Sequence, residues 1–415
     1  MLQNLARSGE YIVNRVLIRL RENLSNLLIG IIKMTLNKKL LAGLVAFAAA
    51  STSAQAVTVA ANDGWTLGVS GSVNQFVTFT DNDNGEDIAE VRDGLLPAFL
   101  NFDMTAPTMN GLDIAAHISL SPSTNGDSYT TMEQREVYFT VAGSFGQILA
   151  GKALGLYGSH NILTDQTLFG VGYGTAGNGQ TTLGGIGLGY DYASWRSQVK
   201  WTSPDMNGFK IALAVMDSTG GSTSLSGKPT GSIVTGGADS EDLRYEADLS
   251  YAGAFDGGSY TAWLSAMTED HDALADDAQA WTVGATLAVA GFELMAQYSD
   301  AESATAPTAP VSTTAAGVGG ATTVVAATDS AKTEWDQYIV QAGYRFGGTT
   351  LVSAQYAELE DKNAAVDDSI EKWTVGVYHD VNANLKLIAE YTAVEDDADA
   401  GLDQDIFSLG GFVFF

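Results

Sequence analysis

Glu133-Gln-Arg-Glu-Val-Tyr-Phe-Thr-Val141 alternates polar and apolar side chains, turns at Ala142-Gly-Ser144, and continues as Phe145-Gly-Gln-Ile-Leu-Ala-Gly-Lys152. A Gly-rich stretch, 153–193, follows, and its only carboxylates are Asp165 and Asp191. Alternation resumes in Ser194-Trp-Arg-Ser-Gln-Val-Lys-Trp-Thr202, turns at Ser203-Pro-Asp-Met-Asn-Gly208, and runs on from Phe209 to Val215. A period of two marks strands with one apolar face. A connection of this length between two strands far exceeds what a compact domain needs, and such connections carry function. The pattern predicts a loop that folds into a lumen enclosed by other strands.

Working outward, the 415 residues hold 20 Lys+Arg against 49 Asp+Glu, 46 Gly, 7 Pro and no Cys. Without Cys there are no disulfides, no thiolate chemistry and no Cys-based metal site. A mean hydropathy of +0.04 is too low for a bundle of membrane helices. It suits a barrel in which half of every strand is polar. At the N-terminus, Met34-Thr-Leu-Asn-Lys-Lys39 is basic, Leu40 to Ala50 is an apolar run too short for an anchor, and Ala54-Gln-Ala56 is a cleavage site. Residues 34–56 therefore read as a signal peptide and 57–415 as the mature barrel. Residues 1–33 read as an upstream extension from a mis-assigned start, because a signal peptide works at a free N-terminus. Removing the seven basic and two acidic residues of 1–56 deepens the net charge from −29 to about −34. Such a chain repels nucleic acid and attracts cations.

From Trp65 to Phe415 sixteen alternating segments succeed one another, among them Trp65–Thr80, Leu95–Thr105, Glu133–Ala142, Phe145–Lys152 and Gln404–Phe415. Their connections alternate long and short. Examples of the long set are Asp81–Gly94, Ala153–Ala193 and Asp300–Thr333, and of the short set Gly143-Ser144, Ala290 and Gly347-Gly348. This segregation is the mark of an all-β, antiparallel transmembrane barrel with extended loops at one end and tight turns at the other. In 279–289, Trp281, Val283, Ala285, Leu287 and Val289 oppose Thr282, Gly284 and Thr286. A polar inner face predicts a water-filled lumen. The last strand should pair with the first so that neither edge is left open.

On these residues the chain resembles the Gram-negative general porins, sixteen-stranded trimeric proteins of the outer membrane. The resemblance covers 57–415 and rests on the signal peptide, on Val141 to Lys152 before the long third loop, on Trp201 to Phe209 after it, and on the terminal Phe415. It implies a diffusion channel for small hydrophilic solutes and ions, constricted by the third loop, in contact with lipid and lipopolysaccharide, with no cofactor beyond loosely held divalent cations such as calcium. In that family the strand before the third loop commonly ends in Gly-Arg, and that Arg lines the constriction. Here the pair is Gly151-Lys152. The acidic third-loop motif of enterobacterial members is absent.

Parity places Lys152, Arg196, Lys200, Lys210 and Arg244 in the lumen beside the third loop, with Asp165 facing them across the constriction. A transverse field between such walls orients dipolar solutes and tunes ion selectivity. Glu136, Glu246, Asp248, Glu293 and Glu390 also face inward, so the lumen is near balance. The acidic excess lies in loops such as Asp81–Asp87, Glu269–Asp277 and Glu395–Asp405, which predicts a mild, salt-screened cation preference. A solute-specific channel is the alternative, and Tyr157, Phe169 and Tyr173 would begin its aromatic track. An enzyme lacks support: His117 points inward beside Ser119 and Ser121, without an assignable acid partner or a nucleophile motif. A structural barrel would be small enough to fill its lumen with side chains, whereas sixteen strands leave a channel.

Overall fold

The computed structural model describes residues 57–60, 62–83, 87–125, 132–174, 181–218, 224–225, 228–229, 243–269, 278–303, 312–314, 322–324, 333–362, 369–397 and 403–415. The readings made on residues 1–56, on most of Asp300–Thr333 and Glu269–Asp277, and on parts of Asp81–Asp87, Ala153–Ala193 and Glu395–Asp405 lie outside them.

Among the described residues, sixteen antiparallel strands close into one barrel. They are β1 (Thr66–Asn82), β2 (Ile88–Arg92 and Phe99–Thr105), β3 (Asp113–Pro122), β4 (Met132–Glu133 and Val137–Gly143), β5 (Gly146–Leu154), β6 (Trp195–Thr202), β7 (Phe209–Asp217) and β8 (Leu243–Phe255). The second half is β9 (Gly258–Glu269), β10 (Ala278–Val289), β11 (Phe292–Ser303), β12 (Thr333–Phe346), β13 (Thr350–Asp361), β14 (Ser369–Asn382), β15 (Leu385–Asp396) and β16 (Gln404–Phe414). Each strand pairs with the next, and β16 returns to β1 in the register Ser72↔Phe414 to Asn82↔Gln404. Closure satisfies the edge groups that an open sheet would present to lipid. A short spur, Val57–Ala60, adds to the start of β1.

Outward rows are apolar and exposed: Val73, Val77 and Phe79 on β1, Leu213 on β7, Trp281 on β10, Val375 on β14 and Leu409 on β16. A band of this kind around a whole barrel fits hydrocarbon, not water. No helix among the described residues is long and apolar enough to cross a membrane.

Two strands depart from the expected layout. The second was read as beginning at Leu95, but pairing with β1 begins at Ile88, and the chain leaves the sheet at 93–98 before re-entering at Phe99. The excursion turns inward. Asn74 accepts from the Gly94 N–H at 3.0 Å and donates to the Leu96 carbonyl at 2.9 Å, while Leu95 is buried. The fourth strand breaks in the same way between Glu133 and Val137.

The tight turns have a shared chemistry. Asn110-Gly111 and Asn207-Gly208 both sit at positive φ, as does Gly347-Gly348. This is the two-residue hairpin geometry that matches strand twist. Ala290-Gly291 adopts it too, with Ala290 at φ 51°. A Cβ-bearing residue without a local polar group pays for αL, whereas Asn tolerates it. Ala290→Asn is therefore expected to stabilise the barrel by roughly 1 kcal/mol, read as a higher urea midpoint in detergent micelles. An unchanged or lower midpoint would mean that the β10–β11 turn is not limited by its backbone.

Candidate functional site

The third loop, described over 155–174 and 181–194, runs along the inner wall and is fastened to it strand by strand. It leaves β5 where Gln198 Nε2 donates to the Ala153 carbonyl at 2.8 Å. Glu246 on β8 then accepts from the Leu156 and Tyr157 amides at 2.5 and 2.9 Å. A short helix, α1 (Ser159–Thr164), sets Asn161 between Trp263 on β9 and Thr282 on β10, at 2.8 and 3.0 Å. Asp165 accepts from Gln341 on β12 at 2.6 Å, from Gln355 on β13 at 3.1 Å and from the Tyr190 hydroxyl at 2.7 Å. Glu390 on β15 takes the Val171 and Gly172 amides at 2.6 and 3.2 Å, and also accepts from the Tyr378 hydroxyl. At Gly170 an added Cβ would occupy the space of that carboxylate, so only glycine lets the loop backbone approach this closely. Lys372 on β14, fully buried, donates to the Gly184 carbonyl at 2.9 Å. Asp191 closes the circuit by accepting from Tyr157, Trp335 and Gln337 at 2.5, 3.0 and 2.6 Å. Burial pushes its carboxyl above the ordinary value, against those three hydrogen bonds and the nearby Arg244.

Apolar packing reinforces this net. Phe412 and Phe414 on β16 face inward and hold Phe169 of the loop edge-on, with ring centroids 5.4 and 5.9 Å apart. Phe76, Ile370, Ile388, Val394 and Ile406 extend the same buried cluster over the inner faces of β1 and β14–β16. The expectation of a polar, aqueous inner face is corrected for these strands. Their inward side chains are apolar because they bury against the loop, and that burial provides the favourable term that orders it.

The excursion at 93–98 meets the loop through Leu95 N–H to the Gly170 carbonyl, 2.9 Å, and Thr182 N–H to the Gly94 carbonyl, 3.1 Å. The loop thus reaches from β8 around to β2. Among the described residues, the wall it leaves without such fastenings runs from β3 to β6, with the re-entrant half of β2 beside it.

Several candidate residues sit elsewhere than parity predicted. Lys152 pairs in register with Ser197 and Val137, both on the exposed outward row, while the buried Ala153 pairs with inward Arg196. Lys152 is thus on the outer face, not in the lumen. Ile148 and Leu149 are both apolar, so alternation could not decide the facing of β5. Asp165 is likewise corrected: it is buried against β12 and β13 and does not confront the basic residues. Arg244 does face inward, but it is buried in ion pairs with Glu246 at 2.6 Å and Glu269 at 3.2 Å. Arg196 faces inward and is also buried. Lys200 is only half-buried, and Glu246, Glu136 and Asp248 are the carboxylates around it. Tyr157 and Tyr173 are fully buried in the loop packing, so no aromatic track begins there.

Other inward residues escaped the sequence reading. Arg92 pairs with Glu90 at 2.8 Å and Arg135 with Glu133 at 2.7 Å. The Arg135 guanidinium lies between the rings of Phe99 and Trp195, 6.0 and 5.9 Å from their centroids. At the turn end, Arg345 binds Glu293 at 2.5 Å, while Lys386, which alternation does assign to the inner face, binds Asp380 at 2.6 Å. Both arginines beyond β1 lie next to strand breaks, where period-two counting fails. His117 does have acid partners: Asp103 is 2.7 Å from its Nδ1 and Glu136 3.4 Å from its Nε2. No group of His, Asp and Glu among the described residues is arranged to hold a metal ion.

A closed sixteen-stranded barrel with a lipid-facing outer band and an inserted third loop narrows the family sharply. Residues 41–399 match the family described as Gram-negative porin. The chain belongs to that family. No curated protein matches the sequence itself. Among solved structures, the barrel is similar to an anion-selective porin from Comamonas acidovorans, with 16% identity, a TM-score of 0.60, and coverage of 85% of this chain and all (100%) of that one. It is also similar to OmpF from Salmonella typhi in complex with daunomycin, at 15% identity and TM-score 0.60, covering 86% of this chain and 100% of that one. A trimer form of the Vibrio cholerae outer membrane protein OmpT matches at 14% identity and TM-score 0.52, over 85% and 100% of the two chains. At these identities the likeness is one of fold. This porin crosses the outer membrane many times and is a channel-forming protein, a fold and family of channels and not of enzymes.

Proposed function

We propose that this porin is a general diffusion channel for small hydrophilic solutes and ions, narrowed by its third loop and mildly cation-preferring. One observation carries the charge preference. The inward arginines Arg92, Arg135, Arg244 and Arg345 each hold a carboxylate in an ion pair. In contrast, Asp103, Glu136 and Asp248 meet imidazoles, at 2.7, 3.4 and 3.3 Å. Paired charges contribute little field, whereas carboxylates whose partner is an imidazole and not a permanent cation leave a more negative lumen that concentrates cations. The excess of Asp and Glu in the sequence adds to this at the loop end, where divalent cations such as calcium would bridge loop carboxylates to lipopolysaccharide. The inserted loop supports the constriction, and the trimer form of the Vibrio neighbour supports a homotrimeric assembly.

Purified protein in a planar bilayer under a KCl gradient tests the reading. Stepwise, ohmic openings with potassium favoured over chloride are expected, with no saturable block by sugars, phosphate or amino acids. Chloride preference would overturn the charge argument. Saturable block by one solute would replace general diffusion with a solute-specific channel.

A further inference from the structure

Asp103 and His117 lie on neighbouring strands β2 and β3, and Glu136 lies beside them in the break of β4. Asp103 is the cross-strand partner of His117, and Tyr138 is its partner on the other side. The imidazole stacks on the Tyr138 ring, with centroids 5.0 Å apart and planes 22° from parallel. That stacking fixes the ring so that each nitrogen addresses a different carboxylate, Nδ1 toward Asp103 and Nε2 toward Glu136. The His117 side chain is 13% exposed, whereas Asp103 is 52% and Glu136 25% exposed. The imidazole is shielded, and the carboxylates on either side of it reach lumen water on the wall that the third loop leaves free.

We propose that His117 is a specificity-determining residue of this passage, which adjusts the charge that Asp103 and Glu136 present to permeating ions. The proposal rests on the diffusion-channel reading above. With a neutral imidazole the cluster carries two negative charges, and with an imidazolium it carries one. Imidazole is the side chain that changes charge between about pH 5 and 8, so the cluster is most negative at the alkaline end and cation preference rises with pH. The groups around it are few. Asp103 faces it from β2, Glu136 from the break of β4 and Tyr138 from β4 itself. Lys200 on β6 lies within electrostatic reach of Glu136. On β3 itself Asp113 stands at the far end, bound to Thr108. Among these groups, His117 alone has an ordinary titration in that range.

Reversal potentials in a KCl gradient at low ionic strength, where screening is weak, test this between about pH 5 and 8. In the wild-type channel the potassium-to-chloride permeability ratio is expected to climb with pH. His117→Gln, which keeps a polar side chain at the site, should flatten that climb and hold the ratio near the wild-type alkaline value. The double variant Asp103→Asn, Glu136→Gln keeps the titrating imidazole, so it should lose much of the cation preference at every pH while retaining a climb, and its conductance shows that the barrel has folded. A climb that persists in His117→Gln, or one abolished by His160→Gln in its place, overturns the proposal. Wild-type conductance with selectivity independent of pH overturns it while leaving the channel reading intact. No conductance at any pH overturns both.

Discussion

Asp165→Ala is expected to lower barrel stability by about 3–5 kcal/mol and to detach the third loop from the wall. Besides its bonds to Gln341, Gln355 and Tyr190, the Asp165 carboxylate accepts from the Thr167 amide and hydroxyl, both at 2.8 Å. Alanine leaves these donors inside a buried net with no acceptor, and each such orphan costs roughly 1–3 kcal/mol before relaxation. Relaxation recovers part of that cost, because a freed loop admits water. The expected signatures are a lower urea midpoint, new proteolytic cuts within 155–194, and noisier single-channel currents. Asp165→Asn keeps one acceptor oxygen and should lose about half as much. Wild-type protease resistance in the alanine variant would show that the loop is held by its other anchors.

Phe412→Ala is expected to cost a comparable amount, about 3–5 kcal/mol, although it changes a residue inside a channel lumen. Phe412 is only 1% exposed, and its ring meets Phe76, Phe169 and Phe414 at centroid distances of 6.1, 5.4 and 5.5 Å. Truncation opens a cavity under the loop and removes the clamp on Phe169. Leu409→Ala, on the outward row of the same strand and 55% exposed, gives up only lipid contact and should cost about 1 kcal/mol. Urea midpoints of the two variants in the same detergent make the comparison. Equal losses would mean that the inner aromatic cluster does not order the loop.

Both predictions depend on contacts that join residues far apart in the chain, and this marks the limit of what the sequence could reveal. Period-two alternation, the segregation of long and short connections and the Asn-Gly turns are local features. They were enough to count sixteen strands, to place all but the start of the second within a few residues, and to predict that Gln404–Phe415 closes on the first strand. The facing of Arg196, Lys200, Arg244, Glu246, Asp248 and Glu390 was legible for the same reason, since their strands alternate cleanly. Lys152 was misplaced because β5 is apolar on both faces near Ile148 and Leu149. Arg92 and Arg135 were missed because β2 and β4 break beside them, and a break resets the parity.

The sequence by itself determined the barrel, its closure, and the existence of one long loop poor in acids. Only the tertiary structure decided what that loop does with its two carboxylates. Asp165 and Asp191 both turn to the wall, toward amide and indole donors on β12 and β13, and accept hydroxyl donors from the loop itself, because a buried carboxylate must find donors. It also decided that the inner faces of β1 and β14–β16 are apolar packing for the loop. On the proposed reading the passage charge falls to Asp103, Glu136 and Asp248, with His117 between the first two. Strand alternation reports only which face a side chain occupies. Which charges meet across the lumen depends on the stagger of strands around the closed barrel and on the path of the loop, and neither is written in local periodicity.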